Sequence, residues 1–148
     1  MYPHTGMDSR MDNIAQLLIR LLKAHRAVIS ERLAPLNLYP GQDGLLYQLS
    51  QNNGLTMTEL VEKLQIKHPT LFTMVNRMET VGLIIKEKDK IDKRTSRIFL
   101  TNEGKKQISE LSRVWQDLEK QLSKGFNEEE MTTVKTILHH LIKNLNDD

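Results

Sequence analysis

"TMTELVEKLQIKHPTLFTMVNRMETVG", residues 56–82, contains two short helical segments separated by a turn, and the remaining elements can be placed around it. Thr56 and Glu59 have the spacing of a capping box, in which the hydroxyl and the carboxylate each accept a backbone N–H. The apolar residues that follow, Leu60, Val61 and Leu64, share one helical face. The first half of the stretch therefore predicts a short amphipathic helix.

The second half predicts a helix that begins at Pro69 and ends at Gly82, since proline suits a first turn and glycine a left-handed cap. Leu71, Val75 and Met78 form its apolar face. Its opposite face is polar and cationic, with Thr70, Thr73, Asn76 and Arg77. Two short helices joined by a turn at residues 66–68 are typical of a helix-turn-helix, whose second helix enters the major groove of DNA.

"IIKEKDKIDKRTSRIFLT", residues 84–101, follows directly and is apolar at both ends and charged between them. Ile84 and Ile85 predict the start of one strand, and residues 98–100 predict the end of its partner. A β-hairpin after a helix-turn-helix is a wing. Its tip carries Lys88, Lys90, Lys93 and Arg94, which predicts contact with a phosphate backbone or a minor groove. The expected fold is mostly α with a small β-hairpin wing.

Positive charge is concentrated in this part of the chain. Residues 67–97 contain eight lysines and arginines and four acidic residues, a net charge of +4, whereas the whole chain of 148 residues carries +2. A basic segment of this kind is an expected footprint for a polyanion, and a solvated lysine-rich hairpin is the alternative.

Four further helices are predicted outside the helix-turn-helix. The first starts after Asp8 or Ser9 and ends before Pro35. The second has Pro40 at its first position, Leu45, Leu46 and Leu49 on its inner face, and its end at Asn53-Gly54. Beyond the wing, Thr101 caps a helix that runs to about Lys124, with Ile108, Leu111, Trp115, Leu118 and Leu122 as its stripe. The last helix opens at Asn127 and Glu130 and has Met131, Val134, Ile137, Leu138, Leu141 and Leu145 inward.

The apolar stripes of the first and the last two helices are more than one compact winged helix can cover. They predict a homodimer in which these helices pack against a second copy, with a monomeric helical bundle as the alternative. We therefore expect one domain over residues 1–148, with a helical dimerisation region at 8–36 and 105–148 and a winged-helix DNA-binding region at 37–104. A two-fold dimer would present two recognition helices to a palindromic site, with half-sites about 34–36 Å apart.

The sequence gives little support for other classes of protein. The absence of cysteine excludes disulfides and thiol redox sensing. No apolar run reaches the roughly 18 residues of a membrane span, and the N-terminal residues do not resemble a secretory signal, so we expect a cytoplasmic protein. No nucleophile elbow, phosphate-binding glycine loop or metal motif predicts an enzyme. His139 and His140 are adjacent on a helix and point about 100° apart, so neither a metal nor a cofactor is expected.

The stretch from Leu55 to Gly104 resembles the multiple antibiotic resistance regulator (MarR) family of winged-helix repressors. Its most specific segments are "NRMETVGLI" and "DKRTSRIFLTNEG", which look like the family's recognition-helix end and its D-x-R wing ending in L-T-x-x-G. The resemblance implies a triangular homodimer that represses a neighbouring gene until a small molecule or an oxidant loosens it from DNA. It also implies that Arg94 enters the minor groove while Asp92 holds the wing by ionic contacts. The oxidation-sensing branch needs a cysteine, so that mechanism is excluded here.

The sequence departs from the family at two positions of the recognition helix. Phe72 stands where the family often has a small hydroxyl residue, and Thr73 stands where an arginine is frequent. Phe72 can touch a thymine methyl group or pack inward, and packing inward is the preferred interpretation. At the second helix, Tyr39 occupies a position where a hydroxyl cap is usual. Base contacts therefore cannot be transferred from the family residue by residue.

The predicted DNA-binding site combines the helix start, the outer helix face and the wing. Lys67 and His68 lie at the positive end of the helix dipole, which favours a phosphate. The complete set is Lys67, His68, Thr70, Thr73, Asn76, Arg77, Lys88, Lys90, Asp92, Lys93 and Arg94. A winged-helix module that binds an acidic protein, without a specific DNA site, is the alternative function.

We also hypothesise an effector pocket between the first helix, the fifth helix and the recognition helix. Its predicted lining includes Leu22, His25, Tyr47 and Trp115. The expected effector is a small aromatic or anionic molecule, which would act only if it binds one spacing of the recognition helices better than the other. The sequence does not distinguish a repressor from an activator.

Overall fold

The computed structural model describes residues 13–147 of the chain. It comprises α1 (Ile14–Leu33), a short 3-10 helix (Ala34–Leu36), α2 (Gln42–Gln51), β1 (Leu55–Thr56), α3 (Met57–Leu64), α4 (His68–Thr80), β2 (Ile84–Lys88), β3 (Ser96–Leu100), α5 (Asn102–Leu122) and α6 (Glu128–Asn146). The described residues divide into a unit that extends to Val114 and a unit that begins at Trp115. The mostly helical fold with a small β wing confirms the predicted fold class.

The wing is an antiparallel hairpin extended by a third, short strand. In β2 and β3, Ile84 pairs with Leu100 and Lys88 pairs with Ser96, as the sequence predicted for a hairpin. β1 pairs with the other edge of β3, where Leu55 faces Ile98. This third strand was not predicted, because two residues are too few to show the alternation of a strand. It joins the wing to the start of the helix-turn-helix.

The core of the first unit consists of the apolar faces that the sequence predicted. The inner residues of α2, namely Leu45, Leu46 and Leu49, are buried, as are Leu71, Val75 and Met78 of α4. Leu33, Leu60, Ile84, Ile98 and Leu111 complete the fully buried set around them. Close packing of these side chains fixes α4 against α3 and the sheet, so that its opposite face is directed outward.

Three predicted helix starts differ from the structure, one of them by a single residue, since α4 begins at His68 and not at Pro69. Asn13 is the N-cap of α1. Its side chain accepts the Gln16 backbone N–H, and the Gln16 side chain accepts the Asn13 backbone N–H. The helix therefore begins at Ile14, whereas the predicted start after Asp8 or Ser9 lies outside the described residues. α2 begins at Gln42 and not at Pro40, because Gly41 has φ of 99° and interrupts the helical backbone.

Several other predicted helix caps are present, whereas α2 ends at Gln51 and not at Asn53-Gly54. Thr56 accepts the Glu59 backbone N–H at 3.2 Å, and Gly82 has φ of 83° after α4. Thr101 accepts the Gly104 N–H at 3.1 Å at the start of α5. In the second unit, Asn127 and Glu130 form a reciprocal capping box for α6. These short polar signals fix the helix boundaries locally.

α6 presents its apolar residues to the solvent in the single chain. No residue of this helix is buried, and Ile137, Leu138, Ile142 and Leu145 are exposed, Leu145 by 81%. α1 shows the same property within the first unit, with Ile14, Leu17, Ile19, Leu21 and Leu22 exposed. Among the described residues, no helix has the length and apolar content that crossing a membrane requires.

Candidate nucleic-acid interface

α4 presents a polar surface because its apolar face is fixed in the core. Lys67 is its N-cap, and Pro69 lies in its first turn, where a missing N–H costs nothing. The predicted contacts Lys67, His68, Thr70, Thr73 and Arg77 are all exposed, and Asn76 is half-buried. The hydroxyl of Thr73 donates to the carbonyl of Pro69 at 3.1 Å, which leaves its oxygen as an acceptor at the surface.

Asn76 is linked to the wing by Lys86 of β2. The Lys86 Nζ donates to Asn76 Oδ1 at 2.8 Å and lies 3.9 Å from Glu79 Oε1. The backbone N–H of Lys86 donates to the other Glu79 oxygen at 3.0 Å. α4 and β2 are therefore held together by polar contacts on the side of α4 that faces the hairpin, and Asn76 is less free than the sequence indicated.

Phe72 does not pack inward, and the preferred interpretation of this residue is wrong. Its side chain is 51% exposed, whereas the adjacent Leu71 is completely buried. A helix turns about 100° per residue, so a residue next to the centre of the buried face lies at its margin. The ring instead lies beneath Lys86, whose Nζ is 5.3 Å from the ring centroid.

Arg94 lies at the surface of the wing tip. Its side chain is 92% exposed, and its Nε donates to Asp92 Oδ1 at 3.2 Å. The same oxygen accepts the Arg94 backbone N–H at 3.1 Å, and Thr95 donates to the other carboxylate oxygen at 3.3 Å. These contacts, the Arg94 side chain foremost, hold the pKa of Asp92 below its ordinary value. Arg94 is thus oriented by the turn and accessible to a ligand.

Asp89 and Arg97 form a second pair, whose role in holding the wing the sequence analysis did not identify. Arg97 Nε donates to Asp89 Oδ1 at 2.6 Å, and Arg97 Nη1 donates to the Gly54 carbonyl at 2.9 Å. The other Asp89 oxygen accepts the backbone N–H groups of Ile91 and Asp92 at 3.2 and 2.9 Å. The signal in the sequence was two opposite charges at the two ends of the hairpin loop.

The electrostatic consequences agree with this geometry. The hydrogen bond from Arg97 is the largest cause that holds the pKa of Asp89 below its ordinary value, and the backbone N–H of Asp92 adds to it. The carboxylate of Asp89 in turn raises the pKa of Arg97. Both charges persist near neutral pH, so the wing turn is held by an ion pair and by backbone donors together.

The three predicted lysines of the tip are exposed. Lys88 ends β2, and Lys90 and Lys93 lie in the turn between β2 and β3. With Arg94 they form a cationic wing tip, which we define as Lys88, Lys90, Lys93 and Arg94. An exposed cluster of this kind attracts phosphates through its total charge.

The residues predicted for the effector pocket do not line the clefts that border Tyr39. Three clefts of about 450 to 500 Å³ in the first unit share Tyr39, and two of them are bordered by Arg77. Leu22, His25 and Tyr47 are exposed and do not border these three clefts, and Trp115 belongs to the second unit. Across residues 13–147, the structure contains no group of three potential metal-ligating side chains, and His139 and His140 are exposed.

The arrangement defines a winged helix-turn-helix protein, and comparisons show which known proteins it is similar to. Residues 38–96 match the model of the MarR family. The uncharacterised HTH-type transcriptional regulator YybA of Bacillus subtilis is 26% identical over 138 residues, which is 93% of this chain and 92% of that protein. The chain thus contains a MarR family-model domain and is similar in sequence and fold to MarR transcriptional regulators, the family that its sequence resembles.

Solved structures of the family have the same fold. A putative MarR family regulator from Listeria monocytogenes, complexed with 26mer DNA, is 25% identical with a TM-score of 0.82, and the match covers 90% of this chain and 89% of that one. A MarR regulator from Methanosarcina mazei has a TM-score of 0.80 at 21% identity, covering 88% and 94%. The second likeness concerns the fold alone.

Proposed function

We propose that the chain is a sequence-specific DNA-binding transcriptional regulator that acts as a homodimeric repressor on a palindromic operator. The observation that carries this proposal is the pairing, within one unit, of an exposed polar face on α4 with an accessible arginine on the wing. The DNA bound to the Listeria monocytogenes relative supports the same function.

In this proposal, α4 enters the major groove. Lys67 and His68 meet a phosphate at the helix N-terminus, where the dipole favours an anion. Thr70, Thr73, Asn76 and Arg77 then face base edges or the adjacent backbone. Arginine is the side chain best suited to the two acceptors of guanine, and a threonine oxygen can accept from an exocyclic amino group.

The wing tip reaches the neighbouring minor groove. Arg94 is the inserted residue, because a guanidinium responds to the negative potential of a narrow, A·T-rich groove. Asp92 orients Arg94 by accepting from its backbone and its side chain. Lys88, Lys90 and Lys93 add attraction to phosphates, which makes the affinity dependent on salt.

The dimer is formed by residues 8–36 and 105–148, of which 8–12 and 148 lie outside the described residues. Exposed apolar side chains on α1 and, separately, on α6 support this assignment. Contiguous apolar surface of this kind is uncommon on a monomer and is removed from water by association. Two-fold symmetry would match the two halves of a palindromic operator.

Release by a small aromatic or anionic effector is the regulatory part of the proposal. An effector shifts the equilibrium only through different affinities for the two states. A panel of aromatic acids should therefore include at least one that lowers operator affinity, and equal affinity across the panel would contradict this part.

The first experiment is selection of DNA from a random pool by the purified protein, followed by titration at two salt concentrations. We expect an inverted repeat rich in A·T pairs, with half-sites about one helical turn apart. The affinity should fall steeply with salt, because phosphate contacts release counterions. Binding without a consensus would contradict the proposal and favour the alternative of a protein-interaction module.

A further inference from the structure

Phe72 is an aromatic side chain that the core of the protein does not use. Leu71, Val75 and Met78 are completely buried and hold α4 in place, while Phe72 is 51% exposed on the same helix. Exposed apolar area on an element that enters a major groove can be removed from water only by an apolar partner there. Among the base edges of the major groove, the C5-methyl group of thymine is that partner.

Lys86 keeps the ring of Phe72 in one place. Its Nζ is 5.3 Å from the ring centroid, 2.8 Å from Asn76 Oδ1 and 3.9 Å from Glu79 Oε1. A cation over a ring face is attracted by the ring quadrupole. The contacts with Asn76 and Glu79 hold the Lys86 ammonium group in place. They therefore also fix the position from which it attracts the Phe72 ring.

Asn76 contributes a polar group beside the ring. It lies one helical turn after Phe72, and its Oδ1 is the atom that faces Lys86, because an ammonium group can only donate. Its Nδ2 group is left as a hydrogen-bond donor. Thymine presents a methyl group next to the O4 acceptor in the major groove, so an apolar ring and an amide donor match its edge.

We propose that Phe72 is a specificity-determining residue that contacts the methyl group of a thymine in each half-site, and that Lys86 is its positioning residue. The proposal rests on the proposed DNA-binding function and names a base that α4 prefers.

The test replaces each thymine of the selected operator by uracil, which removes only the methyl group. At one symmetric pair of positions, the wild-type protein should lose about fourfold in affinity for each half-site, the effect of one buried methyl group. Phe72→Ala should bind the thymine and uracil operators equally. Lys86→Met, which removes the ammonium but keeps an apolar stem, should reduce the ratio between the two operators.

Tyr39→Ala is the matched control, since Tyr39 is an aromatic residue that is 67% exposed and lies before α2, outside the predicted DNA contacts and the proposed dimerisation region. It should keep the wild-type ratio between the thymine and uracil operators. Phe72→Leu keeps an apolar group and should keep part of that ratio. Circular dichroism and sedimentation check that each variant is folded and has the wild-type association state.

The outcomes separate this inference from the proposed function. A consensus operator whose uracil substitutions affect the wild type and Phe72→Ala equally at every position would overturn the role of Phe72 and leave the DNA-binding function intact. An unchanged ratio in Lys86→Met would overturn the positioning role. Failure to recover any consensus operator would overturn the proposed function and the inference together.

Discussion

Arg94 and Arg97 are three residues apart in the wing, and their surroundings assign them different roles. The Arg94 side chain is 92% exposed beside Asp92, whereas that of Arg97 is 40% exposed between Asp89 and the Gly54 carbonyl. The hydrogen bonds of Arg97 hold the hairpin together and join it to Gly54, the residue before β1. Arg94 is bonded only within its own turn and remains accessible to a ligand.

We predict that Arg94→Ala weakens operator binding by about 1–3 kcal/mol, the range of one good charged groove contact. The folded state should be unchanged, because an exposed side chain contributes little to stability. Titration with the selected operator measures the effect. Lys63→Ala, which removes an exposed cation from α3 outside the predicted DNA contacts and the proposed dimerisation region, is the control and should lose little affinity. Equal losses in the two variants would contradict a specific role for Arg94.

The sequence was sufficient to predict those features of the fold that depend on residues close together in the chain. The Asn127 capping box, the bond from the Glu59 N–H to Thr56 and the buried face of α4 follow from local spacing, and the structure has them. Phe72 was misassigned because its environment depends on Lys86, which is distant in sequence and reaches it only after the hairpin folds. The Arg97 bond to Gly54 spans 43 residues and has no local signal.

At the scale of elements, the wing depends on two carboxylates whose pKa values are lowered in the folded state. Asp89 is held below the ordinary value of 3.8 by Arg97 first, and Asp92 by Arg94 first. A carboxyl group with a lowered folded pKa stabilises the fold above its ordinary pKa, and this contribution is lost as the pH falls through the folded value.

We therefore predict that the order of the wing is independent of pH from neutrality down to about pH 4 and declines below it. Carboxyl-carbon NMR titration should give Asp89 a pKa below the ordinary value, and Arg97→Met should raise it. Hydrogen exchange of the Asp92 and Thr95 amides should accelerate over the same acidic range. An Asp89 pKa that does not respond to Arg97→Met would contradict the ion pair as its cause.

The junction of α4, the wing and α5 depends on close backbone packing. Gly104 lies in the first turn of α5, where an added Cβ would overlap the carbonyl oxygen of Leu83. The Thr101 N–H donates to that same carbonyl at 3.1 Å, so it cannot move freely. This gives a physical reason for the glycine of the "LTNEG" segment, which the sequence analysis recorded only as part of a motif.

Gly104→Ala is predicted to destabilise the protein by about 1–3 kcal/mol, as expected for overpacking of a fixed site. The substitution would otherwise favour a helix, since alanine has the higher propensity. Thermal or urea unfolding measures the change. Lys105→Ala, at the exposed neighbouring position of the same turn, should be close to neutral. A stabilised Gly104→Ala variant would show that the backbone of Leu83 is not fixed.

For the whole molecule, the apolar residues exposed on α1 and on α6 require a second copy in our account. Leu22 is 65% exposed and Ile142 is 56% exposed. The sequence indicated this surplus of apolar faces through helical spacing alone. It could not specify their partners, because spacing shows which residues share a face and not what covers that face.

We predict that Leu22→Glu and Ile142→Glu each convert the dimer to a monomer at micromolar concentration and reduce operator affinity. A charge placed in an apolar interface loses its hydration without gaining a partner. Sedimentation equilibrium measures the association state. Ile91→Glu is the control, because Ile91 is 96% exposed in the turn of the wing and outside the proposed dimerisation region. A monomeric wild-type protein would exclude the dimer.

The central claim is that two α4 helices of one dimer read successive major grooves on the same face of DNA. The most direct test is operator affinity as base pairs are inserted between the half-sites. Insertion of about five base pairs, half a helical turn, should reduce binding to the non-specific level, and the original spacing should bind one dimer. Equal affinity at every spacing would contradict the claim, since the two half-sites would then be bound independently.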